Sequence, residues 1–161
     1  MATDKYAAVL ENDISAGIFI SLTADELVNL WSPVILVAEP SITNGLPRVE
    51  PINVTNNPNI IGIAVGGTGK IEDGVAASGA GKTVVVQIFG LCKCKVDGNV
   101  AAIVIGDNLV TDNSDGIARK VEDYPAIYAA ANVARHVFAK ALQPSTVDGD
   151  TIAVYLTGGS Q

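Results

Sequence analysis

The sequence predicts a mainly β fold: a compact domain of β-barrel or β-tulip-like form with one short N-terminal helix. Val and Ile together number 36 whereas Leu numbers 10, and β-branched side chains favour strands over helices. The chain also contains 16 Gly and 7 Pro. Several glycines follow Asp, as in Asp97-Gly98 and Asp148-Gly149, and such pairs are typical of tight turns between strands.

Composition narrows the function classes. The 161 residues amount to about one domain, and with 48% apolar and 17% charged residues the chain is too hydrophobic for a disordered tail. The net charge of -7 has the wrong sign for a protein that follows phosphates, so we expect no nucleic-acid partner. Apolar runs far shorter than the roughly 20 residues that span a bilayer, and an N-terminus without a signal pattern, predict no membrane segment and no export.

Residues 1–12 are predicted to form an N-terminal arm, and residues 13–161 a single β-rich domain. Tyr6, Val9 and Leu10 are apolar but follow neither a strand nor a helix period. They are too apolar for a purely solvated tail, so the arm is predicted to contact another protein surface, for example by adding to an exposed sheet edge. The alternative is a frayed terminus or an extra edge strand of the same domain.

A strand from Ile14 to Leu22 and a short helix over 24–32 are predicted next. Apolar residues alternate along the strand. Thr23-Ala24-Asp25-Glu26 matches a capping box, in which the first hydroxyl and the last carboxylate accept hydrogen bonds from each other's backbone amides. Pro33 would end the helix, and its apolar stripe would consist of Leu27, Leu30 and Trp31.

The middle of the chain, from Pro40 to Pro58, is predicted to be a loop-rich crossing, because it contains four Pro and four Asn. Turn residues and apolar runs define further elements around and after it. These are extended pieces at 34–37 and 52–55, a buried strand at 100–105, a hairpin of 108–111 with 117–121, and a second short helix at 125–134.

A weak internal repeat joins two parts of the chain. Residues 62–65 followed by 81–90 are echoed by 139–142 followed by 149–158, and each copy is predicted to be a strand, a turn and a strand. This repeat bears on residues 76–83, which match a relaxed phosphate-loop pattern. A phosphate loop must lead into a helix, whereas a strand is predicted here, and a turn is therefore favoured over a nucleotide site.

Other reactive side chains do not form a recognisable catalytic group. Cys92 and Cys94 share the core face of one predicted strand, which predicts two buried, reduced thiols. His136 is the single histidine, and no Ser or Cys lies in a nucleophile motif. The aspartates at 112 and 115 fit turn positions rather than a calcium loop. We therefore expect no enzyme activity, no metal site and no cofactor.

The opposite face of the same strand is half apolar and half polar, which is unusual for a solvated sheet face. It carries Val85, Gln87, Phe89, Leu91, Lys93 and Lys95. Apolar groups left in water on one face are typical of an interface. We therefore expect this face to be a contact surface in a closed homo-oligomer, with a trimer favoured.

Four motifs of the second half occur in a specific order. They are Gly106-Asp107-x-Leu109-Val110, Asp112 to Gly116 with Ile117 to Val121, Ala139 to Leu142, and Gly149 to Leu156. Together with the strands at 62–65 and 84–96, this order resembles the small head decoration, or cement, proteins of tailed viruses over about residues 58–158. Each motif alone consists only of Gly, Asp and alternating apolar residues, so their order carries the resemblance.

The resemblance implies a compact β protein, commonly a trimer, that binds the outer surface of an assembled capsid and stabilises it. The implied partner is the major capsid protein, the implied location is the virion, and no catalytic residue is implied. Capsid or subunit contacts are then expected at Tyr6, Val9, Leu10, Phe89, Leu91, Lys93 and Lys95. The predicted N-terminal helix and the Ala-rich stretch depart from the family pattern.

Two other function classes fit the same residues. One is a β-sandwich module that binds a soluble ligand, which would be monomeric and would have no affinity for a particle. The other is a phosphate-loop nucleotide-binding enzyme, which nucleotides would protect against thermal unfolding.

Overall fold

The structure is a computed structural model that describes residues 17–37, 47–52, 54, 56–68, 76–78, 80–112, 116–121 and 136–158. Eleven strands lie in these ranges. They are β1 (Ile18–Ala24), β2 (Val28–Asn29), β3 (Pro33–Leu36), β4 (Arg48–Pro51), β5 (Ile60–Gly67), β6 (Ala76–Ser78), β7 (Thr83–Asp97), β8 (Asn108–Thr111), β9 (Ala118–Lys120), β10 (Ala139–Ala141) and β11 (Asp148–Leu156). The prediction of a mainly β fold is confirmed.

Nine strands form one sheet, in the order β1-β4-β3-β5-β7-β11-β10-β8-β9. Strand β7 also pairs with β1 and with β9, so the pairings form two cycles that share β7. All of these pairings are antiparallel except β1 with β4 and β7 with β9. Strands β2 and β6 form a separate pair. The finer description as a barrel or tulip stays a prediction.

Strand β7 reaches both cycles because it is long and bends at Gly90. The backbone φ of Gly90 is 96°, a left-handed value that side-chain-bearing residues rarely adopt. Beside the bend, the buried Gln87 side chain donates from Nε2 to the carbonyl oxygens of Phe89 and Leu91, at 3.1 and 2.6 Å. These bonds tie together the backbone on the two sides of the bend.

The core consists of two clusters, one largely within each cycle of strands. Val34 and Ile35 are neighbours on β3 and point to opposite faces, so Val34 enters the first cluster and Ile35 the second. Cys92, Cys94 and Val96 carry the second cluster along β7. The members of the first cluster are Leu22, Ala24, Val28, Leu30, Val34, Val49, Ala64, Val84 and Val86.

The predicted helix over 24–32 is wrong. At the start of this segment the backbone amides bond to parts of the chain that are distant in sequence: Ala24 N–H donates to the Lys82 carbonyl oxygen and Asp25 N–H to that of Val49, at 2.9 and 2.7 Å. Asp25 also pairs with Arg48 on β4. Of the predicted apolar stripe, Leu30 is buried but Leu27 is exposed.

The C-terminal end of the segment 24–32 is a turn. Trp31 has a φ of 64°, which a helix does not permit, and its amide donates to the Ala64 carbonyl oxygen at 2.8 Å. Pro33 begins β3 instead of following a helix.

No helix among the described residues is long and apolar enough to cross a membrane.

Several other predicted elements can be compared with the structure. The hairpin is confirmed as β8 and β9, and both copies of the repeat are confirmed as antiparallel strand pairs, β5 with β7 and β10 with β11. The piece at 34–37 is confirmed as β3, but in place of 52–55 the strand is Arg48–Pro51. The predicted helix at 125–134 lies outside the described residues.

A buried group of charges fixes the end of β7. Arg119 donates from Nη2 to Asp97 Oδ2 at 3.1 Å, and its Nε lies 3.1 Å from Asp112 Oδ1 as an ion pair. The Asp112 side chain is fully buried. Asp112 is therefore an internal ion-pair partner and not merely a turn residue, which corrects the interpretation from the sequence. The group links β7 to the hairpin of β8 and β9.

Candidate interaction surface

Three large side chains lie exposed where β7 and β11 pair. Phe89, Leu91 and Tyr155 are 37%, 38% and 39% exposed. Leu91 and Tyr155 are directly opposite each other in the antiparallel register. The rings of Phe89 and Tyr155 meet edge to face, with centroids 5.6 Å apart and planes at 74°. We call these three residues the aromatic face.

Two lysines border the aromatic face. Lys93 is exposed, and its Nζ lies over the Trp31 ring, 5.7 Å from the ring centroid, a distance at which a cation and an aromatic ring attract. Lys95 is half-buried, and its amide donates to the Trp31 carbonyl oxygen at 2.9 Å. Basic groups therefore lie beside the apolar ones, as the sequence predicts.

The structure corrects the composition of this face at three positions. Val85 is half-buried and packs against the second core cluster. Gln87 is buried and donates to the carbonyl oxygens of Phe89 and Leu91, so it belongs to the bend and offers nothing to a partner. Tyr155 belongs to the face but was not predicted to lie there, because the sequence alone does not show that β11 pairs with β7. The repeat offered the only signal, since it places both strands in equivalent positions.

Next to the aromatic face lies an open apolar hollow of about 470 Å³, where β1 and β5 begin and β11 ends. Ile20, Ile61 and Ile88 are half-buried and pack against the first core cluster, so the hollow is an opening of that core. Its lining residues are Ile18, Ile20, Ile60, Ile61, Ile88, Phe89, Thr157 and Gly158. We call this feature the hollow.

A second exposed apolar group occupies a loop tip, which consists of Val100, Val104, Ile105 and Val147. These four side chains are 52–69% exposed. The tip has a fixed backbone, because Ile103 and Ser145 exchange amide-to-carbonyl bonds of 2.8 and 3.1 Å. The prediction of a buried strand at 100–105 is thus wrong: only Ile103 is buried, and it forms an isolated bridge with Ser145.

Not every predicted contact residue lies in this region. Phe89, Leu91, Lys93 and Lys95 lie together on β7, as expected. Tyr6, Val9 and Leu10 lie outside the described residues. Their role stays a prediction.

The phosphate-loop pattern does not have the required context. Gly81 has a φ of 72° and is followed by β7, a strand, where a phosphate loop would lead into a helix. The equivalent Gly149 in the repeat has a φ of 71° and precedes most of β11. Gly81 is therefore a turn residue, as the repeat predicts, whereas Gly149 lies inside β11, where the register with β7 shifts between Asp148 and Asp150.

The remaining reactive groups are separate from one another. Cys92 and Cys94 are buried free thiols, as predicted, and burial, followed by the neighbouring Cys92, raises the pKa of Cys94 well above its usual value. His136 is half-buried, and its amide donates to Asn56 Oδ1 at 2.7 Å. Within the described residues, no three His, Cys, Asp or Glu side chains are grouped closely enough to hold a metal ion.

Comparison with known proteins gives a likeness in fold to a solved structure. No family model matches the chain, and no curated protein matches it. A solved structure, the head fiber gp8.5 N base of bacteriophage phi29, matches with a TM-score of 0.50 and 15% identity. The match covers 90% of this chain and 98% of the other. At this identity, the likeness shows a shared fold.

Proposed function

We propose that this chain is a structural protein of a tailed-virus head, which binds the outer surface of the assembled capsid and stabilises it. The observation that carries the proposal is the fold shared with the head fiber N base over nearly the full length of both chains. The independent resemblance of the motif order to head decoration proteins supports the same class of protein. The proposed partner is the major capsid protein.

The surface chemistry supports a role in assembly. The described residues expose an aromatic face and a separate apolar tip; Val147 of the tip directly precedes β11 and is eight residues, or about 26 Å of extended chain, from Tyr155 near the other end of that strand. Two separate apolar surfaces suit a protein that contacts both its own copies and a shell. The net charge of -7 keeps such a protein soluble before it assembles.

The proposed assembly is a homotrimer that buries the aromatic face between subunits. Phe89, Leu91 and Tyr155 are anchors of the kind that dominate interfaces, and Lys93 and Lys95 form a polar rim. The arm of residues 1–12 is proposed to contact the shell or a neighbouring subunit through its apolar side chains.

The two alternatives have less support. A ligand-binding module would leave the aromatic face without a partner. A nucleotide-binding enzyme would need a helix after Gly81, where β7 lies instead. No catalytic role is proposed for any residue.

Mass spectrometry of purified particles tests the proposal. The particles come from the virus whose genome encodes the chain, and empty heads lacking the tail are analysed beside them. We expect the chain in both, in a fixed ratio to the major capsid protein. Its absence from both would contradict the proposal. Its presence only in tailed particles would contradict the proposed location in the head and would indicate a tail protein instead.

A further inference from the structure

The hollow is shaped for apolar side chains. Within the described part of the chain, six of its eight lining residues are Ile or Phe and none has an ionisable side chain; Thr157 supplies a hydroxyl, which already donates to the Phe138 carbonyl oxygen at 3.2 Å. A phosphate, carboxylate or metal ion would find no charged partner there. An apolar peptide segment is the ligand that this chemistry fits.

The hollow also leaves the first core cluster incompletely covered. Ile18 is 54% exposed at its rim, and Ile20, Ile61 and Ile88 connect the rim to the buried cluster. Apolar side chains inserted here would remove these isoleucines from water and close the core.

The chain itself supplies a segment of the right chemistry at the right place. Gly17 is the first residue that the structure describes, and it directly precedes Ile18, which lies on the rim of the hollow. A side chain at Gly17 would place its Cβ 2.8 Å from Gln87 Nε2 and 2.9 Å from the Phe19 ring, so the backbone passes tightly beside β7 at this point. The sixteen preceding residues, extended, reach about 55 Å.

The hollow and the aromatic face share Phe89. Ile18 pairs with Phe89 in the register of β1 with β7, so an oligomer that buries Phe89 between copies also brings the chain before Ile18 of one copy to that contact. The arm of one copy then begins near the hollow of the next, and exchange of an identical segment between copies is a low-cost way to stabilise an oligomer.

We infer that the hollow of one copy binds the N-terminal arm of a neighbouring copy, with Tyr6, Val9 and Leu10 as the inserted side chains. This inference rests on the proposed homo-oligomer and adds which surface receives the arm. Assembly and binding of the arm are then coupled, because the binding site and its ligand come from different subunits.

Disulfide trapping between copies tests the inference. A tagged chain with Leu10→Cys is co-expressed with an untagged chain with Ile61→Cys, and oxidised glutathione is added to form the disulfide by thiol exchange. Leu27→Cys, at an exposed site near the other end of β1, replaces Ile61→Cys as the matched control. Thr157→Cys, on another wall of the hollow, is a second acceptor should Ile61→Cys fold poorly. Cys92 and Cys94 are buried and stay in place.

We expect a linked tagged–untagged species with Ile61→Cys or Thr157→Cys, at least tenfold above that with Leu27→Cys. A single chain with Leu10→Cys and Ile61→Cys that closes only an internal disulfide would overturn the inference, because the arm would then fill its own hollow. Absence of any link would overturn it too. Light scattering on the same samples separates the two proposals: an oligomer without the link contradicts only the arm site, whereas a monomer contradicts the proposed assembly.

Discussion

The rings of Phe89 and Tyr155 meet edge to face across β7 and β11, 5.6 Å apart, while each side chain stays more than a third exposed. Their pairing fixes both rings before any partner binds, so little side-chain entropy remains to be lost on contact. With Leu91 beside them, they form a preorganised apolar surface that a partner can cover.

Phe89→Asp is expected to dissociate the oligomer. The substitution places a charge in the centre of the proposed subunit contact, where it would lose its water without gaining a partner. Light scattering should change from a multiple of 16.5 kDa to the monomer mass. Leu36→Asp, at a position that is 38% exposed on β3, is the control and should keep the oligomer. A wild-type monomer at high micromolar concentration would contradict the proposed contact.

Arg119→Met is expected to destabilise the fold strongly. It would leave the fully buried Asp112 without its cation, and breaking a buried pair in this way costs about 3–5 kcal/mol. The melting temperature should fall by about 10 °C.

Arg48→Met is the matched control for that measurement. Arg48 pairs with Asp25 at a site where both side chains are a quarter to a third exposed, so its loss should cost about 1 kcal/mol or less. Equal decreases in the melting temperatures of the two variants would show that the buried charges around Arg119 stabilise the fold no more than the Arg48–Asp25 pair does.

The stability of the protein should fall above pH 9 because of Cys94. Burial raises the pKa of this thiol in the folded chain above the usual value of 9.0, so between the two values only the unfolded chain loses the proton. The free energy of unfolding then decreases with rising pH, by up to about 1.4 kcal/mol per pH unit, and is unaffected by this thiol below pH 9.

Urea unfolding of the wild type and of Cys94→Ala from pH 7 to pH 10 isolates this effect. The difference between the free energies of unfolding of the wild type and Cys94→Ala should be constant up to pH 9 and should decrease above it. Parallel curves over the whole range would show that Cys94 ionises equally easily in both states.

The Gly81-Lys82-Thr83 segment is expected not to bind nucleotides, since its turn leads into a strand. Calorimetry with ATP and GTP should give no heat of binding, with or without magnesium. A micromolar affinity that Lys82→Ala removes would instead support the nucleotide-binding alternative.

The elements that the sequence predicts correctly are those that depend on residues close together in the chain. The hairpin of β8 and β9 follows from turn residues and alternation, and the turn at Gly81 follows from the repeat. The helix over 24–32 failed because its capping pattern competes with bonds to Lys82 and Val49, which are far away in sequence. Local propensity has no access to such partners.

The candidate site was predicted in part for a related reason. Alternation along β7 identifies Phe89 and Leu91 as lying on one face, but only the pairing with β11 brings Tyr155 to them. At Val104 and Ile105 the apolar run indicated a buried strand, whereas the structure exposes both side chains. An apolar run records a preference to avoid water and does not distinguish the core from a surface that a partner covers.

The chain is proposed to bind the outside of an assembled virus head. Electron cryomicroscopy of purified heads lacking the chain, before and after addition of the purified protein, tests this binding. We expect additional β-rich density at regular sites on the outer shell, into which this fold fits, and higher resistance of the decorated heads to heat. Unchanged density at saturating protein, or density only inside the shell, would contradict it.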